Sequence, residues 1–318
     1  MIKAGIIGGG GYTAGELIRV LMYHPEVEIG FVVSQSQQGR LVSDVHDDLV
    51  GECLLHFTDE VSFDVNVLFL CMGHGRSKTF MEEQNIPSDI CVIDLSNDYR
   101  LEDSYVYGLP ELHKETIRTH KRIANCGCFA TAIQLALLPL AKKQLLQDEV
   151  HVHAITGSTG AGQSPKSTTH FSWRNNNLSI YKAFNHQHLA EIKQSLTFLQ
   201  PTFDKSINFL PVRGDFARGI YASAYVDCPL EEEEAYALYE DFYKDDPFTH
   251  VTRQNPNLKQ VVNTNKCLLH LEKHGNKLLI ISIIDNLLKG ASGQAVQNMN
   301  LAFGLPESTG LQLKSVVY

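Results

Sequence analysis

The feature that most constrains the fold is a glycine-rich turn between a strand and a helix at the start of the chain. Apolar residues predict a short buried strand at Ile2–Ile7, and the glycines Gly8–Gly11 follow it. Tyr12–Met22 then has helical spacing, and Val27–Val33 predicts a second strand. Such a turn lets the backbone approach a pyrophosphate at the N-terminus of the helix. The pattern therefore predicts a dinucleotide-binding βαβ unit.

The residues after the second strand bear on the choice of dinucleotide. The strand runs into Val33–Ser36 without an Asp or Glu, which would hold the ribose 2′-hydroxyl of NAD and repel a 2′-phosphate. Hydroxyl and amide donors stand there instead, and the first arginine is Arg40. This favours NADP(H). The predicted cofactor contacts in this unit are Gly8, Gly11, Tyr12, Thr13, Ser34 and Ser36.

Two further buried strands are predicted at residues 66–71 and 90–94, and each is followed by a polar loop. Ligands of open α/β sheets bind at the carboxyl ends of the strands, so these loops belong to the ligand-binding edge. Tyr107–Glu111 is interpreted as a turn segment leading toward the next helix. The first part of the chain is thus predicted to be a Rossmann-type domain.

Cys128 begins a second candidate site, because it stands just before the apolar, helically spaced run 132–143. A thiolate at the first turn of a helix is favoured by the partial positive charge and unpaired N–H groups there. Cys126 lies two residues earlier, beside Gly127. Most cysteines are simply small buried hydrophobes, so position alone leaves both interpretations of Cys128 open.

Composition excludes several classes of partner. The formal net charge of -9 argues against a nucleic-acid-binding surface, and no apolar run reaches the length of a membrane span. The seven cysteines are irregularly spaced, and the N-terminal segment lacks a signal-peptide layout. We therefore expect a cytoplasmic protein with reduced thiols, without nucleic-acid or membrane partners.

The middle of the chain begins with two polar features. His151 and His153 share one face of a strand predicted at 150–155, but no third ligand accompanies them, so no metal site is predicted. Thr156–Gly162 is rich in small, hydrogen-bonding residues, and consecutive N–H groups in such a loop can form an anion nest. A flexible connector is the alternative. Ser158 and Gly160 are its candidate binding residues.

A second polar focus surrounds a predicted helix start. His186 and His188 flank it, and Glu191 follows three residues after His188. A histidine serves as acid and base near neutral pH, and either one fits that role. Arg213 follows an apolar strand and suits bidentate capture of a carboxylate or phosphate, although a surface ion pair is the plainer interpretation.

The chain ends with two strands, at 266–271 and 277–284, and a helix predicted from Ser292 onward. Its small-residue start offers a second place for close approach of a cofactor, and Asn286 is the candidate contact there. The length suits two domains. We expect a dinucleotide-binding domain over 1–129 with 290–318, and a catalytic and oligomerisation domain over 130–289.

Several segments together resemble the N-acetyl-γ-glutamyl-phosphate reductase family, the arginine-pathway relatives of aspartate-semialdehyde dehydrogenase. The resemblance covers nearly the whole chain. The matching segments are Gly8–Tyr12 with Glu16 and Leu17, Asp94–Arg100, Tyr107–Glu111, Asn125–Thr131, His186–His188 with Glu191 and Ile192, Arg213–Gly214, and Asp285–Asn300. It implies an α/β fold with a Rossmann-type NADP-binding domain and an α+β domain of the semialdehyde-dehydrogenase type, in a homodimer or homotetramer.

The resemblance also implies a reaction. Cys128 attacks an acyl phosphate and expels inorganic phosphate, and NADPH reduces the resulting thioester to the semialdehyde. His188 or His186 carries the proton. Substrate binding is expected of Arg213, Ser158, Arg100 and Glu191.

Three alternatives stay open at this stage. The acyl group could be N-succinyl, which would call for an additional cation. The enzyme could instead be an aspartate-semialdehyde dehydrogenase, although the His186–His188 pair and the C-terminal segment favour the glutamyl enzyme. The chain could also be a catalytically silent NADP-binding regulator, which the joint presence of Cys128, the histidines and Arg213 disfavours.

One departure from the family concerns the nucleophile loop. The family usually has Pro where this chain has Cys126. A proline fixes φ and stiffens the turn that presents the thiol. Cys126 removes that stiffness and adds a second thiol nearby, so we predict retained activity with greater sensitivity to oxidation. Equal peroxide inactivation of the Cys126→Pro variant and the unaltered protein would contradict this.

Overall fold

The computed structural model describes residues 1–317, which divide into two compact units. Unit 1 comprises Met1–Cys126 and Ala291–Gln312, and unit 2 comprises Gly127–Gly290 and Leu313–Tyr318. The nucleophile candidate Cys128 therefore stands at the beginning of unit 2. The last residue of the chain lies outside the described part.

Unit 1 is built on a seven-stranded sheet in which every neighbouring pair is parallel. Its strands are β1 (Ile2–Ile7), β2 (Val27–Val33), β3 (Phe57–Thr58), β4 (Val67–Leu70), β5 (Cys91–Asp94), β6 (Val106–Gly108) and β7 (Arg122–Asn125), in the order β3-β2-β1-β4-β5-β7-β6. The order reverses beside β1, as in doubly wound dinucleotide-binding folds. The Rossmann-type prediction is confirmed.

Four helices belong to unit 1. They are α1 (Tyr12–Met22), α2 (Arg76–Glu83), α3 (Pro110–Thr119) and α8 (Gly293–Ala302). The bounds of β1, α1 and β2 agree with the prediction. The turn predicted at Tyr107–Glu111 is wrong, since this segment contains the end of β6 and the start of α3. Pro110 at the first helical position explains the error, because a proline that suggests a turn also suits a helix start.

Helix α8 is unusual for its complete burial. Every residue from Gly293 to Leu301 is buried, and the helix packs against α1, α3 and the strands β5, β6 and β7 of the same unit. Its polar side chains find internal partners. Asn298 Nδ2, for example, donates to Gly108 O at 2.9 Å and to Asn125 Oδ1 at 3.0 Å. The helix begins one residue later than predicted, because Leu288–Ser292 forms a π-helical turn before it.

Unit 2 is an α+β unit around a mixed seven-stranded sheet. Its strands are β8 (Val150–Thr156), β9 (Ser179–Ile180), β10 (Ile207–Arg213), β11 (Ile220–Asp227), β12 (Thr249–Val251), β13 (Cys267–His274) and β14 (Lys277–Ile284), in the order β12-β13-β14-β11-β8-β10-β9. The pairs β8–β10 and β12–β13 are parallel, and the other pairs are antiparallel. Its helices are α4 (Cys128–Lys142), α5 (Phe171–Arg174), α6 (His188–Leu199) and α7 (Glu232–Tyr243).

The sheet of unit 2 has one face covered by helices. Residues Val152, Ala154 and Ala224 alternate inward along β8 and β11, and α4 packs on β11 and β14 with α6 and α7 beside it. Helix α4 is buried from Phe129 to Ala141, so its N-terminus has a fixed position on this sheet. The fold thus fixes where the thiol of Cys128 stands. Among residues 1–317, no helix has the length and apolarity needed to cross a membrane.

Candidate active site

Cys128 is the first residue of α4, as the sequence predicts. Gly127 caps the helix in an extended conformation without a side-chain cap, and the first turn carries no acidic residue. The first N–H groups of a helix have no partner within the helix, and their partial positive charge favours a thiolate at this position. The side chain of Cys128 is half-buried, whereas Cys126 is 1% exposed. All seven cysteines are in the thiol form.

The residue that holds this helix start is Glu191. Its Oε2 accepts a hydrogen bond from the Gly127 N–H at 3.1 Å, and its Oε1 lies 3.9 Å from His188 Nε2. The Glu191 side chain is 3% exposed. The sequence predicted Glu191 as a substrate contact, but the structure engages its carboxylate between the nucleophile turn and a histidine.

His186 and His188 lie together at the start of α6. The His188 backbone N–H donates to His186 Nδ1 at 3.2 Å, and the ring centroids are 4.6 Å apart. The edge of His186 also meets Phe129 and Phe209. Burial, reinforced by the positive charges of Lys182 and Arg213, lowers the pKa of His186 to about 4. His186 is therefore neutral at physiological pH, with Nδ1 as an acceptor.

Tyr181 is a site residue that the sequence analysis missed. The guanidinium carbon of Arg213 lies 4.5 Å from the centroid of its ring. Burial raises the pKa of Tyr181 to about 12, and the neighbouring Cys128 adds to the rise. Tyr181 is therefore a neutral hydroxyl group close to the thiol. Its place five residues before His186 is the signal that could have identified it.

Arg213 is placed to bind an anion. It ends β10, its side chain is half-buried, and its Nε is a buried donor with no hydrogen-bond partner in the described part of the chain. Its backbone carbonyl is occupied by Arg174 Nη1 at 2.7 Å. A buried guanidinium donor without a partner is costly, and a carboxylate or phosphate would complete it.

The Thr156–Gly162 loop does not form the expected anion nest. Its N–H groups are used inside unit 2: those of Gly157, Ser158 and Thr159 donate to the carbonyls of residues 216–219, at 2.8–3.1 Å. Asn286 reinforces the loop, because its Nδ2 donates to Thr159 Oγ1 at 3.0 Å. The half-buried Ser158 keeps only its hydroxyl for a ligand, and Gly160 is exposed.

The glycine turn of unit 1 fits a dinucleotide phosphate. Gly8 has φ +88, a conformation that glycine tolerates, and a Cβ on Gly9 would lie 2.3 Å from Val32 Cγ1. Gly11 precedes α1 without a side-chain cap, and nothing lies within 4 Å of the place where its Cβ would be. The space beside Gly11 at the start of α1 is therefore open, and a pyrophosphate there would lie at the N-terminus of the helix. Tyr12 and Thr13 stand in that first turn.

His46 holds this turn, and nothing in the local sequence identified it. Its Nε2 lies 2.7 Å from Gly9 O, and its ring packs so closely on α1 that a Cβ on Gly15 would be 2.5 Å from Nδ1. At the end of β2, Ser34 is buried and Ser36 is exposed. Arg40 follows them and is also exposed, with its Nη1 donating to Gln37 Oε1 at 2.6 Å.

Arg100 and His151, two other residues considered in the sequence, contact neighbouring residues of their own units. Arg100 is 6% exposed, and its Nε donates to Asn125 O at 2.9 Å within unit 1. This contact holds the backbone at Asn125, and the contact of Arg100 with substrate stays a prediction. On β8, His151 stacks on Tyr225 with centroids 4.8 Å apart. In the described residues, no group of three or more His, Cys, Asp or Glu side chains is arranged to hold a metal ion.

Comparisons with protein families match both units. Residues 3–120 match the semialdehyde dehydrogenase NAD binding domain, and residues 128–286 match the semialdehyde dehydrogenase dimerisation domain. Curated proteins named N-acetyl-gamma-glutamyl-phosphate reductase are similar over 99% of both chains. The chain is 61% identical to that of Bacteroides fragilis strain YCH46 and 58% identical to that of Flavobacterium johnsoniae.

Solved structures show the same fold at low identity. Aspartate semialdehyde dehydrogenase II from Vibrio cholerae, complexed with ASA, matches with a TM-score of 0.76 at 16% identity, over 96% of this chain and 98% of that one. Aspartate semialdehyde dehydrogenase with NADP from Candida albicans matches with a TM-score of 0.70 at 13% identity, over 95% and 98%.

Proposed function

This chain belongs to the N-acetyl-γ-glutamyl-phosphate reductase family of semialdehyde dehydrogenases, and we propose on that basis that it reduces N-acetyl-γ-glutamyl phosphate with NADPH. The products are N-acetylglutamate 5-semialdehyde and inorganic phosphate, in arginine biosynthesis. One structural observation supports the proposed reaction chemistry. The thiol of Cys128 starts a helix whose capping amide is bound by Glu191, beside a buried pair of histidines.

Cys128 is the proposed nucleophile. Its sulfur attacks the acyl carbon, and the phosphate leaves with the electron pair of the bond that breaks. The outward N–H groups of the first turn of α4 are suited to stabilise the negative oxygen that forms on the acyl carbon. NADPH, when bound, supplies the hydride that reduces the thioester. The aldehyde is released when the carbon–sulfur bond breaks and the Cys128 sulfur leaves as thiolate.

His188 is the proposed acid and base. His186 accepts the His188 backbone N–H and is neutral at physiological pH, so it suits the role of a packing partner. His188 has the Glu191 carboxylate 3.9 Å from its Nε2, which favours a positive ring when the thiol gives up its proton. His188 then returns that proton to the Cys128 thiolate after the aldehyde is released.

The substrate has two anionic ends to be bound. Arg213 is the proposed partner of its carboxylate, because Arg213 Nε is a buried donor without a partner in residues 1–317. The hydroxyl of Ser158 is the proposed contact for the phosphate. Tyr181 stacks on Arg213 and joins this group as a neutral hydroxyl.

Unit 1 supplies the NADP(H) site in this proposal. Gly8 and Gly11 admit the pyrophosphate at the start of α1, with Tyr12 and Thr13 in the turn. Ser34 and Ser36, which follow β2, are the proposed contacts of the 2′-phosphate, with the exposed Arg40 as a cation in the same segment. Gly160 and Asn286, in unit 2, remain proposed cofactor contacts. The proposed domains are a dinucleotide-binding domain over 1–129 with 290–318 and a catalytic domain over 130–289, with the nucleophile Cys128 just before the boundary in the sequence.

A dimerisation domain matches unit 2, and the sheet face opposite α4 is the proposed contact between copies. One row of paired residues crosses this face from the edge strand inward: Ile180, Val212, Ile155 and Tyr221. These side chains are half-buried or exposed, and Ile180 is 55% exposed. We propose a homodimer or homotetramer located in the cytoplasm.

One assay tests the function. NADP+ reduction is followed with N-acetylglutamate semialdehyde, N-succinylglutamate semialdehyde and aspartate semialdehyde in parallel, with and without inorganic phosphate. We expect phosphate-dependent turnover with the N-acetyl substrate and at least about 100-fold lower kcat/KM with the other two. A preference for either of the others would assign a different substrate, and no turnover with any of them would refute the proposed reaction.

A further inference from the structure

Gly290 lies directly against Cys128. A Cβ built on Gly290 would stand 2.8 Å from Cys128 Cβ, 3.2 Å from Cys128 Cα and 3.3 Å from Asp285 O. The first of these distances is shorter than carbon atoms tolerate without bonding, so only glycine lets the main chain come this close. The backbone at Gly290 therefore restricts the positions that the Cys128 side chain can adopt.

Gly290 is part of the π-helical turn Leu288–Ser292. The Gly290 N–H donates to Asp285 O at 2.9 Å, a bond that spans five residues. Turns of this kind are rare and concentrate at functional sites. The position of Gly290 thus depends on how the chain leaves β14 at Asp285.

Asp285 is fixed by its own side chain. The carboxylate is fully buried, and its Oδ1 accepts the N–H groups of Leu287 and Leu288 at 2.8 and 3.2 Å. Its Oδ2 accepts from Asn263 N at 2.7 Å and from Arg218 Nε at 3.1 Å, and Arg218 Nη2 lies 3.0 Å away. A buried carboxylate with four donors, one of them a guanidinium group, is held rigidly.

We propose that Arg218 and Asp285 are positioning residues for the thiol of Cys128, acting through the π-helical turn and the bare backbone of Gly290. None of them needs to touch the substrate. This inference rests on the proposed function in naming Cys128 as the nucleophile. Because the field at a helix N-terminus falls off within the first turn, a small displacement of the sulfur would weaken the stabilisation of its thiolate.

The experiment measures the thiol directly. The full-length protein is treated with iodoacetamide over a range of pH, and modification of Cys128 is followed by peptide mass spectrometry. The variants are Asp285→Asn, Arg218→Gln, Arg218→Lys and Gly290→Ala. A matched control is Asp227→Asn, which removes the Asp227–Lys277 ion pair at the opposite ends of the same two strands, β11 and β14.

For Asp285→Asn, Arg218→Gln and Gly290→Ala, we expect Cys128 alkylation at neutral pH to slow about tenfold. The pH at which the alkylation rate is half its maximum should rise by about one unit, because a tenfold change in the thiolate fraction corresponds to one pH unit. Arg218→Lys, which keeps the charge, should fall between these variants and the unaltered protein. In turnover, kcat should fall about 10- to 100-fold, with KM for the semialdehyde changed less than about threefold.

Thermal unfolding identifies the folded variants, and Asp227→Asn should leave the alkylation profile unchanged. A folded Asp285→Asn or Arg218→Gln variant whose alkylation profile matches that of the unaltered protein would overturn the proposal, even if its stability were lower. The alkylation experiment needs no substrate. If the unaltered protein turned over none of the semialdehydes, the proposed function would fail while the positioning of Cys128 could still be tested.

Discussion

The amide of Gly127 donates a 3.1 Å hydrogen bond to the carboxylate of Glu191, a residue 64 positions further along the chain. This bond joins the turn that presents Cys128 to the helix that begins with His188. Because the same carboxylate lies 3.9 Å from His188 Nε2, one buried acid relates the positions of the nucleophile and the proposed acid and base.

Replacing Glu191 by Gln should lower kcat about 10- to 100-fold, because hydrogen bonds to a charged group contribute about 1.5–3 kcal/mol. KM for the semialdehyde should change little, since the Glu191 side chain is only 3% exposed. Steady-state kinetics measures both. Glu232→Gln is the matched control, because Glu232 is an exposed carboxylate that also accepts a backbone N–H, from Lys273 at 2.9 Å. A raised KM with normal kcat would instead favour a substrate-binding role.

Cys128→Ser should abolish turnover, with a loss of at least about 10³-fold in kcat, because a serine hydroxyl does not ionise near neutral pH. Cys126→Ser should retain most activity. Trapping with substrate followed by peptide fragmentation mass spectrometry should show an acyl adduct on Cys128 only. Equal losses of activity in the two variants would contradict our assignment of Cys128 as the nucleophile.

His186 should make the protein less stable in acid. Its pKa falls from 6.5 to about 4 on folding, so between these pH values the unfolded chain binds a proton that the folded chain does not. The free energy of unfolding should therefore decrease as pH falls through this window, by up to about 3 kcal/mol. His186→Asn keeps an acceptor for the His188 N–H and removes the titration.

Urea unfolding at about pH 4.5 and about pH 7 measures this effect. The His186→Asn variant should lose less stability between the two conditions than the unaltered protein does. His120→Asn, at an exposed histidine, is the control and should behave as the unaltered protein. Parallel losses in His186→Asn and the unaltered protein would show that His186 does not titrate as expected.

Ser36→Asp should weaken NADPH binding by placing a negative charge near the proposed 2′-phosphate position. We expect KM for NADPH to rise at least about tenfold and KM for NADH to change less than about threefold. Ser62→Asp, at another exposed serine of unit 1, controls for added charge. If both cofactors were affected equally, the Ser34–Ser36 segment would not set the cofactor preference.

Ile180→Asp should disrupt the assembly of copies, because it places a charge on the proposed contact face of the unit 2 sheet. Ile180 is 55% exposed and pairs with Val212 across the edge of that sheet. Sedimentation velocity should show a smaller species, with the folded protomer retained. Phe198→Asp changes a hydrophobic residue of similar exposure, 63%, on α6, and should leave assembly unchanged. An intact oligomer in Ile180→Asp would place the contact elsewhere.

Local signals were sufficient for much of the fold. The strand–glycine–helix pattern of β1, α1 and β2 could be predicted to the residue, because apolar periodicity and glycine punctuation act over short distances. The start of α4 at Cys128 was predicted on the same grounds. The β6–α3 segment was misinterpreted, because a proline near a glycine indicates a turn and a helix start alike.

The supporting contacts could not be predicted, because they join distant parts of the chain. His46 reaches Gly9 across 37 positions and Arg218 reaches Asp285 across 67, and neither pair leaves a local pattern. The Thr156–Gly162 loop shows the converse. Its composition suits an anion nest, yet its N–H groups are taken by the carbonyls of residues 216–219, which only the pairing of β8 with β11 brings alongside.

The burial of α8 in unit 1 has a consequence for the order in which the protein matures. On the ribosome, Met1–Cys126 emerges first, but its sheet lacks a fully buried helix until Gly293–Ala302 has been made. Nearly all of unit 2 emerges in between. The half that is synthesised first therefore completes its core last, and a nascent chain stopped before Gly293 would carry an open apolar surface that chaperones or proteases could recognise.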